Sequence, residues 1–266
     1  MAQVLELRAA VLRILAINEP SEKVTACLDL TAAIELGHVA VEASAKFSDI
    51  GIGRPAKPEL INALNVPKRK ATTMQGRLGM IHALAHIEFN AINLALDVIV
   101  RFDDLPTEFY WDWWQVAREE AYHFSMLRMH LQRHGSDYGD FAAHNGLWEM
   151  AERTRHKLTD RMAMVPRTLE ARGLDACPLM RDKLAQAGDT EAAAIIDIIL
   201  HDEIKHVALG NKWFVYACER DNVNPVLNYR RLKHEHGAPK LRPPFNIEAR
   251  RAAGFFEEEL LELQQL

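Results

Sequence analysis

Apolar residues recur at helical spacing along most of this chain. The clearest stretch is 71–102, where they return every three or four positions: Leu84, Ile87, Ala91, Leu94, Ala95 and Val98. This period is typical of one buried face of a helix. No run of alternating Val, Ile and Thr indicates a strand. The pattern therefore predicts an all-α protein.

Proline and glycine divide this pattern into separate helices. Pro106 separates two long ones, and Gly135 follows the second of them, as glycine often does after a helix end. Pro166 has to kink or split the third, and the run 173–178 breaks the chain before a short helix and the fourth long one. The predicted helices cover 5–16, 21–47, 71–102, 107–134, 146–172, 179–187, 190–220 and 246–264.

Four long helices joined by links indicate a four-helix bundle of the ferritin-like kind, with additional N- and C-terminal helices. We expect a single domain, 1–266, with the bundle core at 71–220. N-terminal helices and a Pro-rich connector would occupy 1–70, and a C-terminal segment, 221–266, would wrap the bundle. A chain of 266 residues can bury a core without a disulfide or a metal to hold it together.

Composition narrows the class of protein. The formal net charge of −5 argues against a general binder of nucleic acids or membrane surfaces. The three cysteines, Cys27, Cys177 and Cys218, are far apart and form no CxxC motif, which disfavours a disulfide scaffold or a zinc ribbon. No secretory signal is visible at the start, and no apolar run reaches the roughly 18 residues of a membrane span. We expect a cytoplasmic protein without a membrane partner.

The most basic stretch is 229–242. We interpret it as a solvated tail that wraps the bundle. A tRNA contact is the less favoured alternative, because basic side chains supply the phosphate contacts of nucleic-acid binders.

Two Glu-x-x-His motifs carry the candidate chemistry: Glu120 with His123, and Glu203 with His206. On a helix these positions share one face, so both side chains can reach one point. A third motif, Glu35 with His38, shows that the tripeptide spacing alone is weak evidence.

The spacing of further glutamates separates the first two motifs from the third. Glu88 lies 32 residues before Glu120 (120 − 88), and Glu170 lies 33 before Glu203 (203 − 170). Glu35 has no such partner. Glu88 and Glu120 would each lie 14 residues from the turn between their helices, about 21 Å along each axis. They should therefore lie at equal height in an antiparallel hairpin.

The second pair is less regular, because Glu170 lies close to the predicted break. It comes level with Glu203 only if the broken segment keeps its direction. Glu149 and Glu152 are the alternatives for the ligand from this segment. Which acids support the ligand histidines also stays open, with Asp97 and Asp197 as candidates.

His82 and His86 have the i, i+4 spacing of a helical metal chelate. His86 and Glu88 lie on nearly opposite sides of the helix, so we expect the two histidines to pack structurally. Trp113 could wall a substrate pocket, and core packing is the favoured interpretation.

Several strings resemble a bacterial ferritin-like family of unknown function over about 50–255. They include MIHALAHIEFNAINLALDVIVRF, FYWDWWQVAREEAYHFSMLRMHL and ILHDEIKHVALGNKWF. VPRTLEARGLD is similar to the Glu-Ala-Arg-Ser stretch of a di-iron hydroxylase that modifies a tRNA adenosine, although Gly173 stands where that enzyme has serine. The resemblance implies a di-iron carboxylate fold and an oxidoreductase, and it supports Glu170 as the third-helix ligand. It implies no substrate.

The sequence thus leads to one main hypothesis, an oxidoreductase with two iron ions that activates O2 to hydroxylate or oxidise an organic molecule. Manganese or a mixed pair also suits oxygen-rich ligands. No nucleotide fingerprint appears, so an external electron donor is expected besides a small-molecule substrate. A monomer or small homo-oligomer fits best. The alternatives are a ferroxidase or metal-handling protein and a metal-free helical scaffold. The predicted metal ligands are Glu88, Glu120, His123, Glu170, Glu203 and His206.

Overall fold

A computed structural model describes residues 4–48, 50–67 and 69–266. It is 67% helical, and within those ranges the strands are short: β1 (Leu5–Glu6) pairs in parallel with β2 (Val39–Ala40). The all-α prediction is confirmed. Residues 1–3 and Asp49 of the predicted N-terminal segment and Lys68 of the connector lie outside the described residues.

The chain divides into two compact units, Met1–Asn145 and Gly146–Leu266. The single domain with a bundle core at 71–220 stays a prediction.

The first unit is built around a helical hairpin. Its helices are α1 (Leu7–Leu15), α2 (Pro20–Glu35), α3 (Met74–Arg101) and α4 (Thr107–Arg133), with a short 3₁₀ turn at Ala63–Asn65. The Thr73 hydroxyl caps α3 by accepting from the backbone N–H of Gly76, a common way to satisfy a free helix end. Five residues link α3 to α4, which forces the two long helices into antiparallel contact.

The second helix ends earlier than predicted, at Glu35 rather than at residue 47. Gly37 adopts a left-handed φ of 72°. Its N–H donates to Ile34 O, and the N–H of His38 donates to Ala33 O. This pair of hydrogen bonds is a Schellman motif, which glycine favours because it has no Cβ to clash. The chain then leaves the helix and forms β2.

Arg8 ties the N-terminal residues to the end of α3. It is fully buried, and its guanidinium donates to Ile99 O at 2.9 Å and Val100 O at 3.0 Å. It also donates to Ala43 O and Ala45 O. The last carbonyls of a helix lack intrahelical partners, so Arg8 satisfies groups that would otherwise be buried without hydrogen bonds.

The second unit contains a long, interrupted helical rod beside one long helix. Its elements are α5 (Gly146–Arg153), α6 (Leu158–Met164), a π-helical segment (Val165–Glu170, the π segment), α7 (Ala171–Gln186), α8 (Thr190–Arg220), α9 (Pro225–Glu235), α10 (Ile247–Ala252) and α11 (Glu257–Gln264).

The predicted helix 146–172 and the predicted break at 173–178 are both wrong. The interruption comes earlier, at 154–157, and the rod then runs from α6 to α7 without stopping. Pro166 lacks an N–H and cannot continue a regular helix, so the turn there widens into the π segment. The Thr168 hydroxyl donates to Ala163 O at 2.7 Å, which provides a hydrogen bond to a backbone carbonyl beside the irregular turn.

This rod runs antiparallel to α8 along its length. Arg181 pairs with Asp197 at 3.0 Å near the turn between α7 and α8. Further along, Pro166 lies against Gly210, and the Thr159 hydroxyl donates to Asp221 at 2.6 Å. The segment therefore keeps its direction through residue 170, which is the condition for bringing Glu170 level with Glu203.

The C-terminal region also differs from its prediction. The basic stretch begins inside α9, where Asn224 caps the helix and Tyr229 and Leu232 are buried. This part packs on α6 and α8 and is not a solvated tail. The predicted helix 246–264 is split into α10 and α11 at Gly254, whose φ is 82°.

Among the described residues, α3 is the one helix long and apolar enough to cross a membrane. Of its most apolar stretch, 89% is buried inside the protein. That burial is typical of a core helix, and a cytoplasmic location stays a prediction.

The contact between Gly210 and Pro166 predicts a specific stability effect. A Cβ at Gly210 would lie 2.5 Å from Cβ of Pro166, so we expect Gly210→Ala to destabilise the fold by about 1–3 kcal/mol through overpacking. Gly173→Ala is the matched control, because its Cβ would lie 3.5 Å from Glu203 and helical alanine gains up to about 1 kcal/mol over glycine. Urea denaturation of both variants checks this, and equal effects would contradict it.

Candidate metal centre

Three predicted ligands meet in the first unit. Glu88 lies on α3, and Glu120 and His123 lie on α4; all three are buried. The Nδ1 atom of His123 lies 3.4 Å from Oε2 of Glu88 and 3.4 Å from Oε2 of Glu120. One donor atom from each residue lies within 4.8 Å of the others. The equal height expected of Glu88 and Glu120 is therefore observed, and the cluster could hold a metal ion.

Apolar packing encloses this cluster. The ring of Phe89 lies 5.2 Å from that of Phe124, which joins α3 to α4 beside the ligands. Ala85 and Ile92 flank Glu88 on its own helix, and both are fully buried. Ionised carboxylates are costly in such surroundings unless a cation or a proton compensates them.

The electrostatics of the cluster follow from this burial. Burial, together with the neighbouring charge of Glu120, raises the pKa of Glu88 well above its ordinary value. Burial alone would lower the pKa of His123, but its hydrogen bonds to Glu120 and Glu88 outweigh that effect and raise the pKa to about 11. Without a cation the cluster therefore retains protons. A divalent ion would take their place, and two carboxylates with one imidazole suit such an ion chemically.

The second unit repeats the glutamate–histidine arrangement on α8. Nδ1 of His206 lies 3.5 Å from Oε2 of Glu203, and both side chains are buried. Ile199 and Val207 on the same helix are also buried. A carboxylate and an imidazole are thus aimed at one point from a single helical face, as the spacing predicted.

Glu170 is half-buried at the end of the π segment. One turn later, a Cβ at Gly173 would lie 3.5 Å from Oε1 of Glu203. Residues 170 and 173 share a helical face, so Glu170 projects from the side of the rod that faces Glu203. A Cβ at this position would make an ordinary van der Waals contact with the Glu203 carboxylate. The π segment was not predicted from the sequence; it is a rare element that is frequent at functional sites.

The alternative ligands from this part of the chain are poorly placed. Glu149 and Glu152 are exposed, and Glu152 pairs with Arg155 at 3.2 Å. Glu170 therefore remains the candidate from the rod. The third motif does not form one helical face either, because α2 ends at Glu35 and both Glu35 and His38 are exposed.

The two acids considered as supporting partners pair with arginines. Asp97 is buried and accepts from Nε of Arg101 at 2.9 Å. Asp197 is exposed and pairs with Arg181 on α7. Arginine partners therefore account for both charges.

The structural roles expected for the remaining residues are observed. His82 accepts from the backbone N–H of Gly139 at 2.8 Å, and His86 lies 3.0 Å from the Tyr138 hydroxyl. Burial lowers the pKa of each histidine to about 4, so both are neutral at pH 7. Trp113 is buried and packs edge-on against Phe109, as a core residue does.

Comparison with known sequences places the chain in a family. Residues 16–261 match the family described as "Protein of unknown function (DUF455)". The chain belongs to the DUF455 family. An uncharacterised protein of Haemophilus influenzae (strain ATCC 51907 / DSM 11121 / KW20 / Rd) is 46% identical over 213 residues, which cover 77% of this DUF455 chain and 74% of the relative. No solved structure matches this DUF455 chain. Membership of a family of unknown function was predicted, and the ferritin-like superfamily assignment stays a prediction.

The raised pKa values in the cluster of Glu88, Glu120 and His123 lead to a prediction about how the stability of the metal-free protein depends on pH. Glu88 and His123 both hold protons more tightly in the folded chain than in the unfolded chain. Stability of the metal-free protein should therefore fall as pH rises, because the unfolded state gives up these protons first. For His123 this fall spans the window from about 6.5 to about 11.

Urea denaturation of metal-free protein between pH 6.5 and 9 measures this effect. We expect Glu88→Gln to flatten the fall, since glutamine does not ionise and one of the two proton-holding groups is removed. Glu35→Gln, at an exposed position, is the matched control and should leave the slope unchanged. Identical slopes in all three proteins would contradict the electrostatic account.

Proposed function

We propose that this DUF455 protein is an oxidoreductase with a dinuclear metal centre of the ferritin-like kind, which uses O2 to hydroxylate or oxidise a small organic molecule. The observation that carries the proposal is the buried cluster of Glu88, Glu120 and His123, whose carboxylates need a cation or protons. When bound, two iron ions would supply the redox chemistry that O2 activation needs. The six proposed ligands are Glu88, Glu120, His123, Glu170, Glu203 and His206.

The charge of this ligand set supports a pair of divalent ions. Four carboxylates carry four negative charges, which two divalent cations neutralise, while two neutral imidazoles add donors without charge. Carboxylate and imidazole ligands suit iron or manganese better than soft metals. The repeated arrangement is a lone glutamate followed after 32 or 33 residues by Glu-x-x-His. It supports the assignment of three of the six ligands to each half of the chain.

The protein's own residues would prepare the site in three ways. The glutamates would bind through oxygen, and His123 and His206 would bind as neutral imidazoles. A protonated histidine ring must therefore lose its extra proton before a metal can bind. Ala85 and Ala91, small buried residues one turn on either side of Glu88, leave space beside the ligands. The surrounding apolar side chains exclude water, so that a reactive centre would be protected from side reactions.

The remaining parts of the proposal concern partners. An external electron donor and a small-molecule substrate are needed, because the sequence carries no fingerprint for a nucleotide cofactor. A cytoplasmic location and a monomer or small homo-oligomer complete the proposal.

Metal content tests the ligand assignment directly. Protein purified after growth in iron-supplemented medium should contain close to two metal ions per chain by elemental analysis. Glu120→Ala and Glu203→Ala should each reduce this content strongly, because each removes a buried carboxylate. Glu35→Ala should retain two ions, since its motif is exposed and off the helical face. Unchanged content in both ligand variants would rule the assignment out.

Iron titration separates an oxidoreductase from an iron-handling protein. Under air, we expect uptake and oxidation of Fe(II) to stop at two ions per chain, because the six ligands have no further capacity. Continued uptake well beyond two ions, or a shell of many subunits in gel filtration, would instead support ferroxidase or storage activity.

A further inference from the structure

The C-terminal residues of the second unit contact the π segment at a buried ion pair. Arg167 lies three residues before Glu170 and is only 1% exposed. Its two terminal nitrogens donate to the two carboxylate oxygens of Glu259 on α11, at 3.0 and 2.6 Å. Such a bidentate pair fixes direction as well as distance.

Aromatic rings enclose the Arg167 guanidinium on several sides. Its central carbon lies 4.2 Å from the ring centre of Tyr229, 4.8 Å from that of Phe255 and 4.9 Å from that of Phe214. The hydroxyl of Tyr229 also lies 3.0 Å from that of Thr168 in the π segment. The side chain therefore has little freedom to move, and the backbone that carries it is constrained as well.

A second buried pair constrains the chain just after Glu170. Arg250 on α10 donates to Asp175 at 2.6 Å and to Ala171 O at 3.2 Å. The backbone N–H of Asn246 donates to the same carboxylate at 2.9 Å. The region 245–263, which we call the C-terminal strap, thus holds residues on both sides of Glu170.

The π segment needs such external support. Pro166 cannot donate a backbone hydrogen bond, and a π turn is an irregular part of any helix. Local hydrogen bonding therefore determines the position of Glu170 less firmly than it determines Glu203, which lies in the middle of a regular helix. A buried ion pair is weak evidence for added stability, because desolvation offsets the attraction. The Arg167–Glu259 pair is therefore better explained by its effect on the position of the π segment than by added stability.

We propose that the C-terminal strap positions a metal ligand: the Arg167–Glu259 pair, assisted by Arg250 and Asp175, holds the π segment so that Glu170 can reach the ion bound by Glu203 and His206. This inference rests on the proposed function, because it takes Glu170 as a ligand. Arg167 and Glu259 are positioning residues and touch no metal themselves.

Neighbouring glutamates on α11 provide a matched test. Glu259→Gln removes the charge of the buried pair, whereas Glu258→Gln removes the charge of an exposed residue that pairs with Arg230 at the surface. We expect the first variant to bind one metal ion per chain instead of two, and the second to retain two. Metal content by elemental analysis and the thermal midpoint of the metal-free protein are measured for both.

A double variant covers the case in which Glu259→Gln does not fold. Arg167→Met with Glu259→Leu replaces the buried pair by apolar side chains of similar size, an exchange that proteins often tolerate without loss of stability. We again expect one ion per chain, with a thermal midpoint close to that of the parent protein. Retention of two ions by the folded double variant would overturn the positioning role.

Glu170→Ala separates a failure of this inference from a failure of the proposed function. With Co²⁺ as the probe, Glu170→Ala and Glu259→Gln should show the same change in the visible absorption spectrum, because both remove one ligand from the same ion. If Glu170→Ala still binds two ions, the ligand assignment fails. If Glu170→Ala binds one ion while Glu259→Gln and the double variant bind two, only the positioning role fails.

Discussion

The α3–α4 hairpin buries two carboxylates side by side, and this burial sets the strongest electrostatic constraint in the first unit. Glu88 and Glu120 share one imidazole, that of His123, among apolar side chains. Like charges at such a position cannot both ionise without compensation. The cluster must therefore hold protons or a cation, and a protein that only needed a stable core would gain nothing from it.

In the first unit, regular helices and a short link hold these ligand side chains together. A five-residue link sets the register of two long helices, and the packing of Phe89 against Phe124 joins them beside the ligands. Arg8 satisfies the carbonyls at the end of α3, so the N-terminal residues stabilise the hairpin. Ordinary helix geometry is enough to bring the donors into range.

The second unit reaches a related arrangement through irregular structure. Pro166 widens the rod into a π turn and packs into the space left by Gly210. Two buried ion pairs, at Arg167 before Glu170 and at Asp175 after it, then connect this part of the rod to the C-terminal strap. Interactions between residues up to 92 positions apart thus support an irregular segment that contains a proline.

Three features could be predicted from the sequence: the helical class, the two long helices of the hairpin and the equal height of Glu88 and Glu120. These follow from periods of three to four residues and from link length, which are local properties. The end of α2 at Glu35, the continuity of the rod through Gly173 and Pro178, and the burial of Arg167 were not predictable in this way. Proline and glycine normally end helices, and only packing against α8 and the C-terminal strap provides the contacts that allow this rod to continue. Long-range contacts of that kind leave no periodic signal in the sequence, so they become visible only in the folded protein.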